Sequence, residues 1–89
     1  MNFLDKIQNK KILVVGLGRT GKATLEMLGG KGCELYAQDS KARDDMDEAL
    51  VALIDRTCKR AFLGQDPDET KFDYVIMSPG VSPELEFIQ

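Results

Sequence analysis

Residues 12–15, ILVV, form a continuous apolar, largely β-branched run that stops at Gly16, the pattern of a strand buried on both faces. From Gly18 to about Leu28 the composition turns helical, with Ala23 and Met27 on one row and Leu25 and Leu28 on the next, and the glycine-rich GGKG of residues 29–32 marks its exit. CELYAQD, residues 33–39, predicts a second strand in which Leu35 and Ala37 face opposite to Tyr36. DMDEALVALIDR then predicts a second helix, with Asp45 as N-cap, Glu48 three residues later, and Met46, Ala49, Leu50, Leu53 and Ile54 at helical spacing.

A third strand is predicted over KRAFLG, residues 59–64, from the short apolar run Ala61 to Leu63. The turn-rich QDPDET follows it, and then a fourth strand through Tyr74, Val75, Ile76 and Met77, halted by Ser78, Pro79 and Gly80. Ser82 and Pro83 read as the N-cap and first residue of another helix at the end of the chain. Strands alternating with helices at these lengths predict an α/β fold with right-handed crossovers and a parallel sheet. Such a sheet binds ligands beyond the carboxyl ends of its strands, where the loops after the first, second and fourth strands meet.

Eighty-nine residues, 43% of them hydrophobic, fit a single small domain spanning 1–89. A formal net charge of −3 argues against nucleic acid and against an anionic membrane surface as partners, so an anionic ligand would be held by local groups. No histidine is present, which removes His-based nucleophilic catalysis and His-ligated metal sites within these residues. Cys33 and Cys58 are expected to be reduced, buried thiols without a metal role. The opening MNFLDKIQNKK is too charged for an export signal and no segment is long enough to span a bilayer, which points to the cytoplasm.

Gly16-Leu-Gly18-Arg-Thr-Gly21 fits G-x-G-x-x-G between a predicted strand and helix, and Asp39 lies about twenty residues on, at the end of the second strand. The first glycine permits the turn, the second lets backbone approach a ligand, and the third lets helix and strand pack closely. Unbonded N–H groups at the helix start then face an anion. Thr20 either donates its hydroxyl to that anion or caps the helix. Arg19, Lys22, Lys41 and Arg43 are cations beside this edge, and for Lys41 and Arg43 a solvated scatter of charge is an equal reading. On the residues alone NAD leads as ligand, because Asp39 would accept from the ribose diol and repel a 2′-phosphate, and the alternative function is an NAD(P)-binding module of an oxidoreductase or a nucleotide sensor. SPGVS, residues 78–82, is either a second anion or sugar contact or a simple type II turn.

Three phrases in order, KKILVVGLGRTG, QDSK and DYVIMSPGVSPE, resemble the N-terminal domain of the Mur ligases, closest to the D-glutamate-adding branch. The resemblance implies a Rossmann-like, three-layer α/β/α domain with a mainly parallel sheet, truncated before a fifth strand. Its implied ligand is the UDP part of UDP-N-acetylmuramoyl-L-alanine rather than NAD. Arg19 and Thr20 match the positions that meet the nucleotide and diphosphate, Asp39, Ser40 and Lys41 those at the uridine, and Ser78, Pro79 and Gly80 those lining the site from the fourth strand. The parent enzyme it implies is a cytoplasmic ligase of peptidoglycan synthesis, serving cell wall biogenesis, cell shape and division. ATP and magnesium there activate the substrate carboxyl as an acyl phosphate that D-glutamate attacks. No G-x-x-x-x-G-K-[ST] phrase occurs here, so the chain is expected to be an excised first domain, without catalytic residues or a cofactor of its own, partnered by the ligase's central and C-terminal domains.

Overall fold

A computed structural model describes residues 3–68 and 71–77. The expectations for Ser78, Pro79, Gly80 and the helix after Ser82 lie outside the described residues. The elements follow the order α1 (Phe3–Lys6), β1 (Lys11–Val15), α2 (Arg19–Leu28), β2 (Glu34–Asp39), a 3-10 turn (Arg43–Asp45), α3 (Glu48–Thr57), β3 (Cys58–Leu63) and β4 (Tyr74–Met77). The four strands form one sheet in the order β3-β2-β1-β4, and every pairing is parallel. The chain thus steps from β1 outward to β3 and returns across the sheet to β4, which places the reversal of strand order between β1 and β4.

Strand alternation divides the core. Ile12, Val14, Leu35 and Ala37 join Leu25 and Leu28 of α2 and Leu53 and Ile54 of α3 in one cluster, so both helices cover the same face. Leu13, Val15, Tyr36 and Phe62 form a second cluster on the other face, packed by Phe72 of the β3–β4 connection and by Met77. The Tyr36 and Phe72 rings meet edge to face with centroids 5.3 Å apart, and the Lys11 ammonium lies 5.2 Å from the Tyr36 ring centre. The predicted opposition of Leu35 and Ala37 to Tyr36 is what the two clusters show.

Three local expectations are corrected. Only one of the two apolar rows expected on α2 is buried: Leu25 and Leu28 are inaccessible, whereas Ala23 is exposed and Met27 is 58% exposed. The N-cap position of helix α3 is Asp47 rather than Asp45, without a capping bond from the Asp47 side chain, because Asp45 closes the preceding 3-10 turn and Met46 returns to extended backbone (φ −96°, ψ 152°) before the helix starts. Ala49, expected on the inward face of α3, is exposed. The helices themselves lie close together, since a Cβ at Gly29 would stand 2.7 Å from Thr57 Cγ2 and 3.0 Å from the Leu25 carbonyl oxygen.

Helix α1 was not foreseen, and it leads into Ile7, which is fully buried in the α2–α3 cluster. The Asn9 N–H donating to the Gly32 carbonyl (2.9 Å) fastens this segment to the turn before β2. No helix among the described residues is long and apolar enough to cross a membrane.

Candidate functional site

The glycine loop begins where β1 ends. Gly16 has φ +86°, a left-handed conformation that glycine adopts without the steric cost borne by residues with a Cβ. That turn redirects the chain, so Leu17 enters the α2–α3 cluster at 4% exposure, although strict alternation from Val15 would send it elsewhere. Gly18 follows at the N-cap of α2 with φ −73° and ψ −161°, a backbone open to any residue, and a Cβ built there meets nothing within 4 Å among the described residues. Neither its own backbone nor its described protein neighbours therefore require glycine at this position. A phosphate brought close to the loop would require it.

Gly18, at the N-cap of α2, has no side chain to cap the helix, and the first backbone bond runs from the Lys22 N–H to the Gly18 carbonyl at 2.9 Å. Thr20 does not cap the helix; its carbonyl accepts the Thr24 hydroxyl at 2.9 Å. The N–H groups of Arg19, Thr20 and Gly21 occupy the first turn, where the helix dipole favours an anion by about 0.3–1 kcal/mol. Gly21 is buried, as expected of the glycine that brings helix against strand.

Asp39 ends β2 beside this loop. Its Oδ2 accepts the Leu17 N–H and its Oδ1 accepts the Lys41 N–H, each at 2.8 Å. Ser40 and Lys41 follow on an exposed turn. Arg43 sits apart from them, bound by Nη1 to both carboxylate oxygens of Asp55 on α3 at 2.9 and 3.1 Å, with both side chains about half exposed. The structure thus brings Gly16, Gly18, Arg19, Thr20, Gly21, Asp39, Ser40 and Lys41 to the carboxyl edge and directs Arg43 to α3. Strand β4 ends at Met77 level with Val15, at the same edge.

Sequence reasoning missed Leu17 and Gln38. Gln38 is the buried polar residue of the core among the described residues, 5% exposed, and its Nε2 donates to the Gln65 carbonyl at 3.0 Å while its main-chain carbonyl accepts the Gly16 N–H at 2.8 Å. The available signals were an apolar residue between two glycines and an amide in an otherwise apolar strand.

The cysteines are free and half-buried. Burial raises both thiols above the ordinary cysteine range, opposed at Cys58 by the Thr57 hydroxyl and at Cys33 by a backbone hydrogen bond. Less thiolate at neutral pH means slower alkylation, so iodoacetamide labelling is expected to be slow in the folded chain and fast in denaturant; equal rates would contradict this burial. The unfolded chain also gives up these protons first, so stability is expected to decline as pH rises past the ordinary thiol range. No group of three or more potential metal ligands occurs among the described residues.

A family model described as the N-terminal domain of the Mur ligase MurD-like proteins matches residues 10–89. The UDP-N-acetylmuramoylalanine--D-glutamate ligase of Alkaliphilus metalliredigens is 33% identical over 88 residues, which cover 94% of this chain and 19% of that protein. The ligase of the same name from Desulfitobacterium hafniense is 37% identical over 86 residues, covering 93% and 18%, and that of Clostridioides difficile is 32% identical over 83 residues, covering 92% and 18%. The chain spans just under a fifth of the length of these curated relatives. With an all-parallel sheet, a glycine loop at its carboxyl edge and these matches over nearly its whole length, the chain belongs to the MurD-like N-terminal domain family of the Mur ligases.

Proposed function

We propose that this chain binds the UDP portion of UDP-N-acetylmuramoyl-L-alanine, as the substrate-holding first domain of a D-glutamate-adding ligase. The observation that carries the reading is the space left open at Gly18 by the described residues, above a helix start whose N-cap glycine has no side chain to cap it, in a chain of this family. The diphosphate is assigned to Gly16, Gly18 and the N–H groups of Arg19, Thr20 and Gly21, where backbone donors and the helix dipole act together. The uridine is assigned to the turn of Asp39, Ser40 and Lys41. Ser78, Pro79 and Gly80, which follow β4 in sequence, are assigned to the remaining wall. The curated relatives are ligases by name, so the NAD(P) reading is not carried forward.

In this proposal residues 1–89 form one binding domain of a longer cytoplasmic enzyme of peptidoglycan synthesis. ATP and magnesium supply the carboxyl activation in that parent, and no part of the carboxyl edge described above is assigned to them. The chain alone is therefore expected to bind without ligating. A ligand that binds only the folded state stabilises it by about 2.7 kcal/mol at one hundred times its Kd. Saturating UDP or UDP-N-acetylmuramoyl-L-alanine is accordingly expected to raise the melting temperature, and NADH to leave it unchanged. A rise with NADH and none with either uridine ligand would overturn the proposal.

A further inference from the structure

At the carboxyl edge, the loops after β1, β2 and β3 converge on one residue. The Asp39 carboxylate accepts the N–H of Leu17 through Oδ2 and that of Lys41 through Oδ1, both at 2.8 Å. Its main-chain carbonyl accepts the N–H of Gly64 at 2.8 Å. Leu17 lies inside the glycine loop with its side chain held in the core, and Lys41 lies on the turn after β2. Each carboxylate oxygen is thus engaged by a backbone donor, and the two donors belong to the two loops assigned above to opposite ends of the ligand.

Resting on that uridine-diphosphate reading, we infer that Asp39 is a positioning residue that acts through Leu17 and Lys41 and links the diphosphate loop to the nucleoside turn. An ionised carboxylate suits this task because it accepts from both sides and its bonds to N–H are charge-assisted. A ribose-binding acid would act on the sugar alone. A bracket is instead felt at both ends of the ligand: without it the Leu17 N–H loses its partner, and the hold of the glycine loop on β2 weakens to bonds such as that of the Gly16 N–H to the Gln38 main-chain carbonyl. Asparagine shows the difference well, since it keeps one acceptor and turns an amino group toward the other N–H.

The test compares the unsubstituted 89-residue chain with Asp39→Asn, titrating each with UDP and, separately, with inorganic pyrophosphate, which has no nucleoside. Loss of a hydrogen bond to a charged acceptor corresponds to a weakening of about tenfold or more. Asp39→Asn is expected to weaken both ligands by a similar factor of that size, with amide shifts of Leu17 and Lys41 displaced before any ligand is added. Weakened UDP binding with pyrophosphate affinity unchanged would make Asp39 a direct nucleoside contact and overturn the inference. If the unsubstituted chain binds neither ligand, the uridine-diphosphate reading fails, and this role with it. Should the variant not fold, amide exchange in the unsubstituted, ligand-free chain decides: Leu17 and Lys41 protected like Gly16 supports the bracket, and exchange as fast as in an unstructured peptide overturns it.

Discussion

Replacing Gly18 with leucine is expected to abolish uridine nucleotide binding up to millimolar ligand while leaving the fold in place. Gly18 has an extended backbone at φ −73°, so leucine needs no strained conformation there, and a Cβ meets no atom of the described residues within 4 Å. The folded chain therefore loses little beyond the modest advantage of glycine over leucine at an N-cap, on the order of 1 kcal/mol or less. The ligand fares differently. The leucine side chain would project into the space where a diphosphate approaches the α2 N–H groups, and short, directional bonds to those groups tolerate no intervening methylene. Calorimetric titration of Gly18→Leu, beside a thermal melt of the same sample, checks both halves. Undiminished affinity would remove the glycine loop from the site, and a collapsed melt would show that glycine serves the fold.

Phe62→Ala carries the largest expected cost in stability. Phe62 is fully buried in the cluster of Leu13, Val15 and Tyr36, on the face of the sheet opposite α2 and α3. Deleting a buried phenylalanine side chain costs about 3–5 kcal/mol, against a total of about 5–15 kcal/mol for a typical domain. At about 4–8 °C per kcal/mol for a domain of this size, the midpoint should fall by at least about 12 °C, or the cooperative transition should disappear. Differential scanning calorimetry reads the effect directly. A fall of less than about 5 °C would mean that the β2–β3 side of the sheet is not organised around this ring.

The strands were legible because each is a short apolar run stopped by glycine, aspartate or proline, and because Leu35, Tyr36 and Ala37 alternate across a sheet packed on both faces. Helix α3 was legible in its body and displaced at its start. Asp45 and Glu48 match the spacing of a capping box, but the extended Met46 after the 3-10 turn moves the N-cap position to Asp47. For α2, Ala23 and Met27 follow helical spacing as well as Leu25 and Leu28 do; only the direction of approach of β1 and α3 determines which row is covered.

The site shows the same division. The glycines and Asp39 stand out because their backbone and charge requirements are local properties of the sequence. Leu17 as an anchor, Gln38 as a tie to Gln65, and the bonds of Asp39 to Leu17 and Lys41 depend on loops brought together by the strand order β3-β2-β1-β4. Spacing along the chain carries no record of that proximity. The pairing of Arg43 with Asp55 is similar: the sequence places a cation near the edge, and the 3-10 turn carries it to α3.

The central claim, that the carboxyl edge of this sheet holds a uridine diphosphate, is tested most directly by a ¹H–¹⁵N titration with UDP-N-acetylmuramoyl-L-alanine, UDP and NADH in separate samples. Shifts centred on Gly18, Arg19, Thr20 and Lys41 with both uridine ligands, and none with NADH, are the predicted result. Shifts at those residues with NADH alone, or uridine-induced shifts confined to other surfaces of the domain, would contradict it.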